Sequence, residues 1–250
     1  VGGAYSQSNP ASGGTAPYIY ALASGSLPAG TTLNTGTGAV TGTPTTAGAF
    51  SYAIRATDSQ GTPATATGAT VSGTIAQGTQ TISFTSTAPT AAAVGGATYT
   101  VTATASSGLP VTFTIDASSA AICSISGSTV SFTGAGTCTI NASQAGNANY
   151  GAAPQVQQSF TVSPAALVVT PGAATGATVG GSFSQSNPAS GGTAPYTYAL
   201  ASGTLPAGTT LNTGTGAVTG SPTTAGAFSY AIRATDSQGT PATATGATVS

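Results

Sequence analysis

The sequence predicts an all-β fold made of antiparallel β-sandwich domains that follow one another along the chain. Apolar and polar residues alternate with period two in many short runs, and turns rich in Gly and Pro separate these runs. A segment also occurs twice, at residues 1–72 and 179–250. Short strands with regular turns, and no run of helical periodicity, are typical of sandwiches in which each block buries its own core.

Single-faced burial is clearest in the run 50–55, where Phe50, Tyr52 and Ile54 alternate with small or polar residues. The same pattern recurs at 98–102 and 111–116, and it predicts strands with one buried face. Further strands are predicted at 18–23, 64–75, 81–86, 129–133, 137–142 and 156–163. Turns are predicted at 27–30, 34–38 and 58–61, because Pro fixes φ and Gly supplies positive φ there.

The repeat defines the expected domain organisation. The copies are offset by 178 residues and differ at five pairs: Ala4/Ser182, Tyr5/Phe183, Ile19/Thr197, Ser26/Thr204 and Thr43/Ser221. We therefore expect three domains, at 1–76, 77–163 and 164–250. The apolar stretch 166–171 before the second copy has no counterpart before Val1. The first domain is expected to lack its opening strand, and the second copy to be truncated at its C-terminal end.

Composition excludes several classes of function. Only 2% of residues are charged and the net charge is −1, so the basic surface that nucleic acid requires is missing. No apolar run approaches the roughly 20 residues that span a bilayer, so membrane insertion of this segment is not expected. Without His, Lys or Glu, no Ser or Thr hydroxyl has a base to activate it. We expect no catalytic residue, no enzymatic activity and no cofactor.

Several motifs of the repeated segment resemble a known bacterial family. These are Gly25–Asn34, Thr37–Pro44, Ala47–Phe50 and Ala56–Ser59, which recur within 203–237. Together they resemble the bacterial putative-Ig, cadherin-like repeat. The middle block resembles the Cys-paired bacterial Ig-like repeats through Gln80–Phe84, Gly136–Ile140 and Gln144–Tyr150.

The resemblance implies tandem immunoglobulin-like antiparallel β-sandwich domains in a linear array, of the kind found in large bacterial surface adhesins or fibres. It also implies an extracellular location on the bacterial cell surface. It does not imply a ligand, because function on such a fold must be argued from a site.

Cys123 and Cys138 are the two cysteines of the chain. In a chain that looks exported, an even count favours a disulfide over two free buried thiols, and a zinc site would be two ligands short. In a flat three-strand meander these residues would lie about 9.6 Å apart, beyond the roughly 7 Å Cα limit for a disulfide. The chain is therefore expected to change sheet near Gly134, so that the bond joins two sheets.

Asp58 and Asp236 occupy matching turns and are weak candidates for calcium ligands. A calcium ion usually takes six to eight oxygens, several of them acidic, and each turn offers one carboxylate. The alternative is an Asx-type turn with a purely structural role. No metal site is expected from these residues.

Four tyrosines, Tyr18, Tyr20, Tyr196 and Tyr198, are weak candidates for a carbohydrate-stacking surface. Core aromatics would show the same spacing, since both rings of each pair fall on one face of a strand. The exchange of Tyr5 for Phe183 suggests that this ring needs no hydroxyl.

The leading hypothesis is a structural stalk or fibre segment of a secreted bacterial surface protein. Its partners would be neighbouring repeats of the same chain or fibre. A carbohydrate- or surface-binding module is the first alternative, with a glycan or a surface as its ligand. The second alternative is a non-covalent filament whose subunits assemble by strand exchange.

Overall fold

The computed structural model describes residues 1–173 and 176–250. They form two compact units. The first contains Val1–Thr87, Val101–Thr114 and Ile140–Gln158, and the second contains Ala88–Thr100, Ile115–Thr139 and Ser159–Ser250. The units divide the segment 77–163, so its strands are described in two parts below.

The described residues are almost entirely strands and turns, with one short 3-10 helix at Ala117–Ser119. The strands of the first copy are β1 (Tyr5–Gln7), β2 (Ile19–Ser26), β3 (Thr31–Leu33), β4 (Val40–Gly42), β5 (Gly48–Thr57), β6 (Thr65–Thr67) and β7 (Val71–Ile75). Those of the middle segment are β8 (Ile82–Phe84), β9 (Ala92–Ala93), β10 (Tyr99–Thr100), β11 (Ala103–Ala105), β12 (Thr112–Ile115), β13 (Cys123–Ser126), β14 (Thr129–Phe132), β15 (Gly136–Ser143) and β16 (Val156–Ser163). The last strands are β17 (Val168–Val169), β18 (Phe183–Gln185), β19 (Ala189–Ser190), β20 (Thr197–Thr204), β21 (Thr209–Leu211), β22 (Val218–Gly220), β23 (Ser229–Thr235) and β24 (Thr243–Thr245).

The first copy, in the first unit, is a sandwich of two antiparallel sheets. One sheet has the order β1-β4-β3, and the other has the order β2-β5-β6 with β7 also paired to β5. Tyr20 of β2 and Tyr52 and Ile54 of β5 are buried against Val40 of β4. The core therefore lies between the sheets, as the alternation at 50–55 predicts.

The second copy, in the second unit, repeats these sheets as β18-β22-β21 and β20-β23-β24. It has one further strand pair, β17 with β19, which the first copy lacks. Leu167 and Val169 from this region join its core. β23 has seven residues and is shorter than β5, whose residues Gly48–Tyr52 pair with β7.

The middle segment forms sheets in both units. In the first unit β8 pairs with β11, and Ile82, Ala105 and Ala142 form a buried cluster. In the second unit the sheet β10-β14-β13 packs its rings against β16, where Phe160 makes edge contacts with Tyr99 and Phe132. Strands β12, β15, β16 and β9 form one further sheet in that order, and β9 pairs parallel to β16.

One predicted strand divides into two. The residue pattern predicts a continuous strand at 64–75, but this run forms β6 and β7, which pair with different halves of β5. The N–H of Gly68 donates to the carbonyl of Ile54 at the break. Thr and Ser residues fall at odd positions before the step, 65 and 67, and at even positions after it, 70, 72 and 74, so the phase of the alternation changes where the strand divides.

Candidate functional site

The disulfide is the covalent brace of the second unit. Cys123 and Cys138 are bonded, with their Cα atoms 5.9 Å apart, and both are almost fully buried. Cys123 lies in β13 of the sheet β10-β14-β13, whereas Cys138 lies in β15 of the other sheet. The bond thus joins two sheets, as the cysteine spacing predicts.

The change of sheet happens in the turn between β14 and β15. The N–H groups of Thr133 and Gly134 both donate to the carbonyl of Ile122. A Cβ on Gly134 would meet the carbonyl oxygen of Ala121 at 2.4 Å, so only glycine fits against this backbone. This tight turn carries the chain from one sheet into the other, which places Cys138 within bonding distance of Cys123. A flat meander would have kept both residues in one sheet.

A second structural site joins the first copy to the middle segment, and both partners belong to the first unit. The connecting residues Gln77 and Gly78 pair with the loop 144–151. The Gly78 N–H donates to the Asn149 carbonyl at 2.8 Å, and the Gly151 N–H donates to the Gly78 carbonyl at 3.0 Å. The connection is therefore held as a strand-like ladder along this loop.

Asn149 extends the contact from the connection to the body of the first copy. Its side-chain Oδ1 accepts the N–H of Ala47 at 2.9 Å, across 102 residues of sequence. Asn147 shapes the same loop, since its Oδ1 accepts the N–H groups of Asn149 and Tyr150. We call Asn147, Asn149, Gln77, Gly78 and Ala47 the joint.

Two buried side-chain amides, those of Gln80 and Gln144, hydrogen-bond to the loop of the joint. Gln80 donates through Nε2 to Gln144 Oε1 and to the Gly151 carbonyl, both at 2.7 Å. Gln144 Oε1 also accepts the N–H of Gly146, and Ser107 donates to Gln80 Oε1. Because buried amides are costly unless satisfied, this network fixes the shape of the loop. Sequence reasoning used Gln144–Tyr150 only as a family motif and missed this role.

The two aspartates hold turns. Asp58 and Asp236 are both buried. Asp58 accepts the N–H of Ala64 at 2.8 Å and of Thr15 at 3.3 Å. Asp236 accepts the N–H of Ala242 at 2.7 Å and of Thr193 at 3.0 Å. A Cβ on Gly14 would lie 2.6 Å from Asp58 Oδ2, so glycine at this position lets the carboxylate approach.

These hydrogen bonds lower the pKa of both carboxyl groups. The N–H of Ala64 is the main cause of the lowered pKa of Asp58. Burial opposes the shift at Asp236, but donors from Ala242, Gln238 and Thr193 outweigh it and the pKa is lowered. No cluster of three His, Cys, Asp or Glu side chains occurs among the described residues. The geometry therefore displays the turn role, and calcium binding stays the weaker alternative for Asp58 and Asp236.

The candidate tyrosines divide into two kinds. Tyr20 and Tyr198 are buried core rings whose hydroxyls accept the N–H of Ala11 and Ala189, each at 3.0 Å. Tyr18 and Tyr196 are half-buried, and Tyr196 donates to the Gly191 carbonyl at 2.6 Å. Only this second pair has ring surface available for a sugar.

The described part of the chain contains no helix that is both long and apolar enough to cross a bilayer. A comparison with curated protein sequences finds no match.

The solved structures that match this chain include cadherin domains. Three domains of mouse cadherin-23, EC22-24, are 18% identical with a TM-score of 0.34, and the match covers 96% of this chain and 87% of that one. Domains EC1-3 of Drosophila N-cadherin are 11% identical with a TM-score of 0.33, covering 95% and 91%. These values are too low to support a functional argument.

A family match covers both copies of the repeat. The model of the Putative Ig domain matches residues 1–76 and 164–250, the same segments that form the two sandwiches with equivalent sheets. More than half of the chain is included, and the motifs quoted above lie within it. The chain therefore belongs to the Putative Ig domain family.

Proposed function

We propose that this chain is a structural stalk or fibre segment of a large secreted bacterial surface protein. The joint is the observation that carries the proposal. A flexible tether would leave the connection at 76–78 solvated, whereas here it is paired along the loop 144–151 and tied to Ala47 by Asn149. A connection held in this way transmits orientation from one repeat to the next.

The disulfide supports the same role. Under tension a sandwich fails by separation of its strands, and the bond between Cys123 and Cys138 crosses from one sheet to the other. Unfolding of this segment would then leave the residues between the two cysteines unextended. The near absence of charge adds insensitivity to salt, because there is little charge to screen.

Force spectroscopy of the 250-residue chain tests the mechanical part. Reduction should add about 4 to 5 nm to the extension released by the middle segment, since about 15 residues at 3.3–3.6 Å each are freed. An extension that does not change on reduction would contradict a brace under load. Cys123→Ala with Cys138→Ala is the matched control and should show the longer extension without reductant.

Labelling of producing cells tests the location. Antibodies raised against this chain should decorate the surface of intact cells, and the antigen should be removed by external protease. A denaturing gel then separates two architectures: one very large band indicates a covalent array, and a ladder of small subunits indicates assembly by strand exchange. Antigen confined to the cell interior would overturn the proposal.

A further inference from the structure

The disulfide is shielded by a short segment that lies between its two cysteines in the sequence. Cys123 is 1% exposed and Cys138 is 0% exposed. Residues 116–122 contain the short 3-10 helix and lead directly into Cys123. Within this segment Ser119 is 2% exposed, although the residues before and after it are exposed. We call residues 116–122 the cover.

Ser119 fastens the cover to the strand that carries Cys138. Its hydroxyl donates to the Thr137 carbonyl and accepts the N–H of Thr139, both at 3.0 Å. These two residues flank Cys138 in β15. The carbonyl oxygen of Ser119 lies 3.9 Å from the sulfur of Cys123. Ser119 therefore contacts the backbone on both sides of one cysteine and the sulfur of the other.

Both ends of the cover are held as well. At its start Asp116 Oδ1 accepts the N–H of Ser118 at 3.0 Å, and the Asp116 N–H donates to the Thr139 carbonyl at 2.9 Å. At its end the Ile122 carbonyl accepts two backbone N–H groups from the turn after β14. All these residues belong to the second unit. Opening the cover breaks a small set of hydrogen bonds, whereas separating the sheets breaks their ladders and exposes the core.

Thiol–disulfide exchange requires direct access to a sulfur. A thiolate attacks one sulfur, the S–S bond breaks, and the other cysteine leaves as a thiolate. When the reductant is a dithiol, its second thiolate then displaces the first cysteine. The dithiol becomes a disulfide and the protein gains two thiols. A bond buried as deeply as this one reacts only through a conformation that exposes a sulfur.

We propose that the cover gates thiol–disulfide exchange at the Cys123–Cys138 bond. A dithiol reaches the sulfurs when residues 116–122 open, while both sheets stay folded. Formation of the bond is the reverse of the same exchange, so a disulfide that oxidises the two thiols must also meet the open cover. The oxidation that supplies this bond therefore precedes closure of Ser119 over it.

The test measures how fast excess dithiothreitol reduces the folded 250-residue chain, with the released thiols counted by a chromogenic thiol reagent. Ser119→Ala removes the acceptor of the Thr139 N–H and should accelerate reduction about tenfold, because the closed cover is then less stable. Below the unfolding transition the rate should depend only weakly on urea, because opening the cover exposes little surface.

Matched variants separate the cover from general weakening of the fold. Ser124→Ala removes an exposed serine beside Cys123 that lies outside the cover, and it should leave the reduction rate unchanged. Asp116→Ala removes the acceptor of the Ser118 N–H and should accelerate reduction about fivefold. Asp116→Asn keeps an oxygen at this position and should react like the unchanged chain. Circular dichroism checks that each variant is folded.

The proposal fails if Ser119→Ala and Asp116→Ala are reduced no faster than the unchanged chain. It also fails if the rate follows urea as steeply as global unfolding does, because the bond would then be reached only in the unfolded chain. If Ser119→Ala does not fold, the Asp116 pair and the urea dependence still decide between these outcomes. None of these results bears on the stalk function, which rests on the joint.

Discussion

The hydroxyls of Tyr5 and Tyr52 lie 3.2 Å apart, joining β1 of one sheet to β5 of the other inside the first copy. In the second copy Phe183 replaces Tyr5, and the hydroxyl of Tyr230, the equivalent of Tyr52, is buried without a partner among the described residues. The rings themselves are placed alike, since Tyr5 and Phe183 both pack edge-on against a Phe, with centroids 5.6 and 5.7 Å apart.

The first prediction exchanges these residues. Tyr5→Phe should destabilise the first copy by about 1 to 2 kcal/mol, because it leaves the Tyr52 hydroxyl without this partner. Phe183→Tyr should stabilise the second copy by about 1 kcal/mol, because it supplies the missing partner. Denaturant unfolding of each variant measures both changes. Equal effects of the same sign would contradict the pairing argument.

The second prediction concerns the disulfide. Reduction, or Cys123→Ser with Cys138→Ser, should lower the free energy of unfolding of the middle segment by about 3 kcal/mol, the value expected for a loop of this length. Thermal unfolding with and without reductant measures it. The melting temperature of the double variant should not change when reductant is added. A change in that variant would show that reductant acts on something other than the disulfide.

The third prediction addresses the joint. Asn149→Ala removes the acceptor of the Ala47 N–H, so hydrogen exchange at the Ala47 amide should accelerate at least fivefold while the cores stay protected. Asn149→Asp keeps an oxygen in place and should retain protection. If both variants exchange alike, the side-chain contact does not hold the connection.

The fourth prediction is the pH profile. The pKa of Asp58 and of Asp236 is lowered from 3.8, so their stabilising effect is present above pH 3.8 and is lost as the pH falls through the folded value. Burial, followed by the hydrogen bond from Tyr5, raises the pKa of Tyr52 above 10.0, and burial raises that of Tyr230. Their contribution is present below pH 10.0 and is lost as the pH rises toward the folded values.

Stability should therefore be nearly flat from about pH 5 to about pH 9 and fall on both sides. Melting temperatures across this range provide the measurement. Asp58→Asn with Asp236→Asn should flatten the acid side and leave the alkaline side unchanged. A transition near neutral pH would contradict this interpretation, since the chain has no His.

The features that the sequence predicts well are those fixed by short-range pattern. Alternation at 50–55 predicts β5, and the two cysteines around a glycine turn predict a bond between sheets, because both follow from strand geometry. The Tyr5 exchange is misleading, since a substitution between copies shows that a hydroxyl can be lost and not that it is unused.

The joint could not be predicted for a different reason. Asn149 and Ala47 are 102 residues apart, and an Asn in a Gly-containing loop is equally consistent with an ordinary turn. Only the fold brings the two residues together.

The joint also sets an order of events during synthesis. Residues 1–76 emerge first, and the loop 144–151 that pairs with Gly78 is made later and belongs to a different block. Domains generally fold as units, N-terminal first, as the ribosome proceeds. A nascent chain therefore carries the Gly78 connection unpaired until the loop 144–151 has been made.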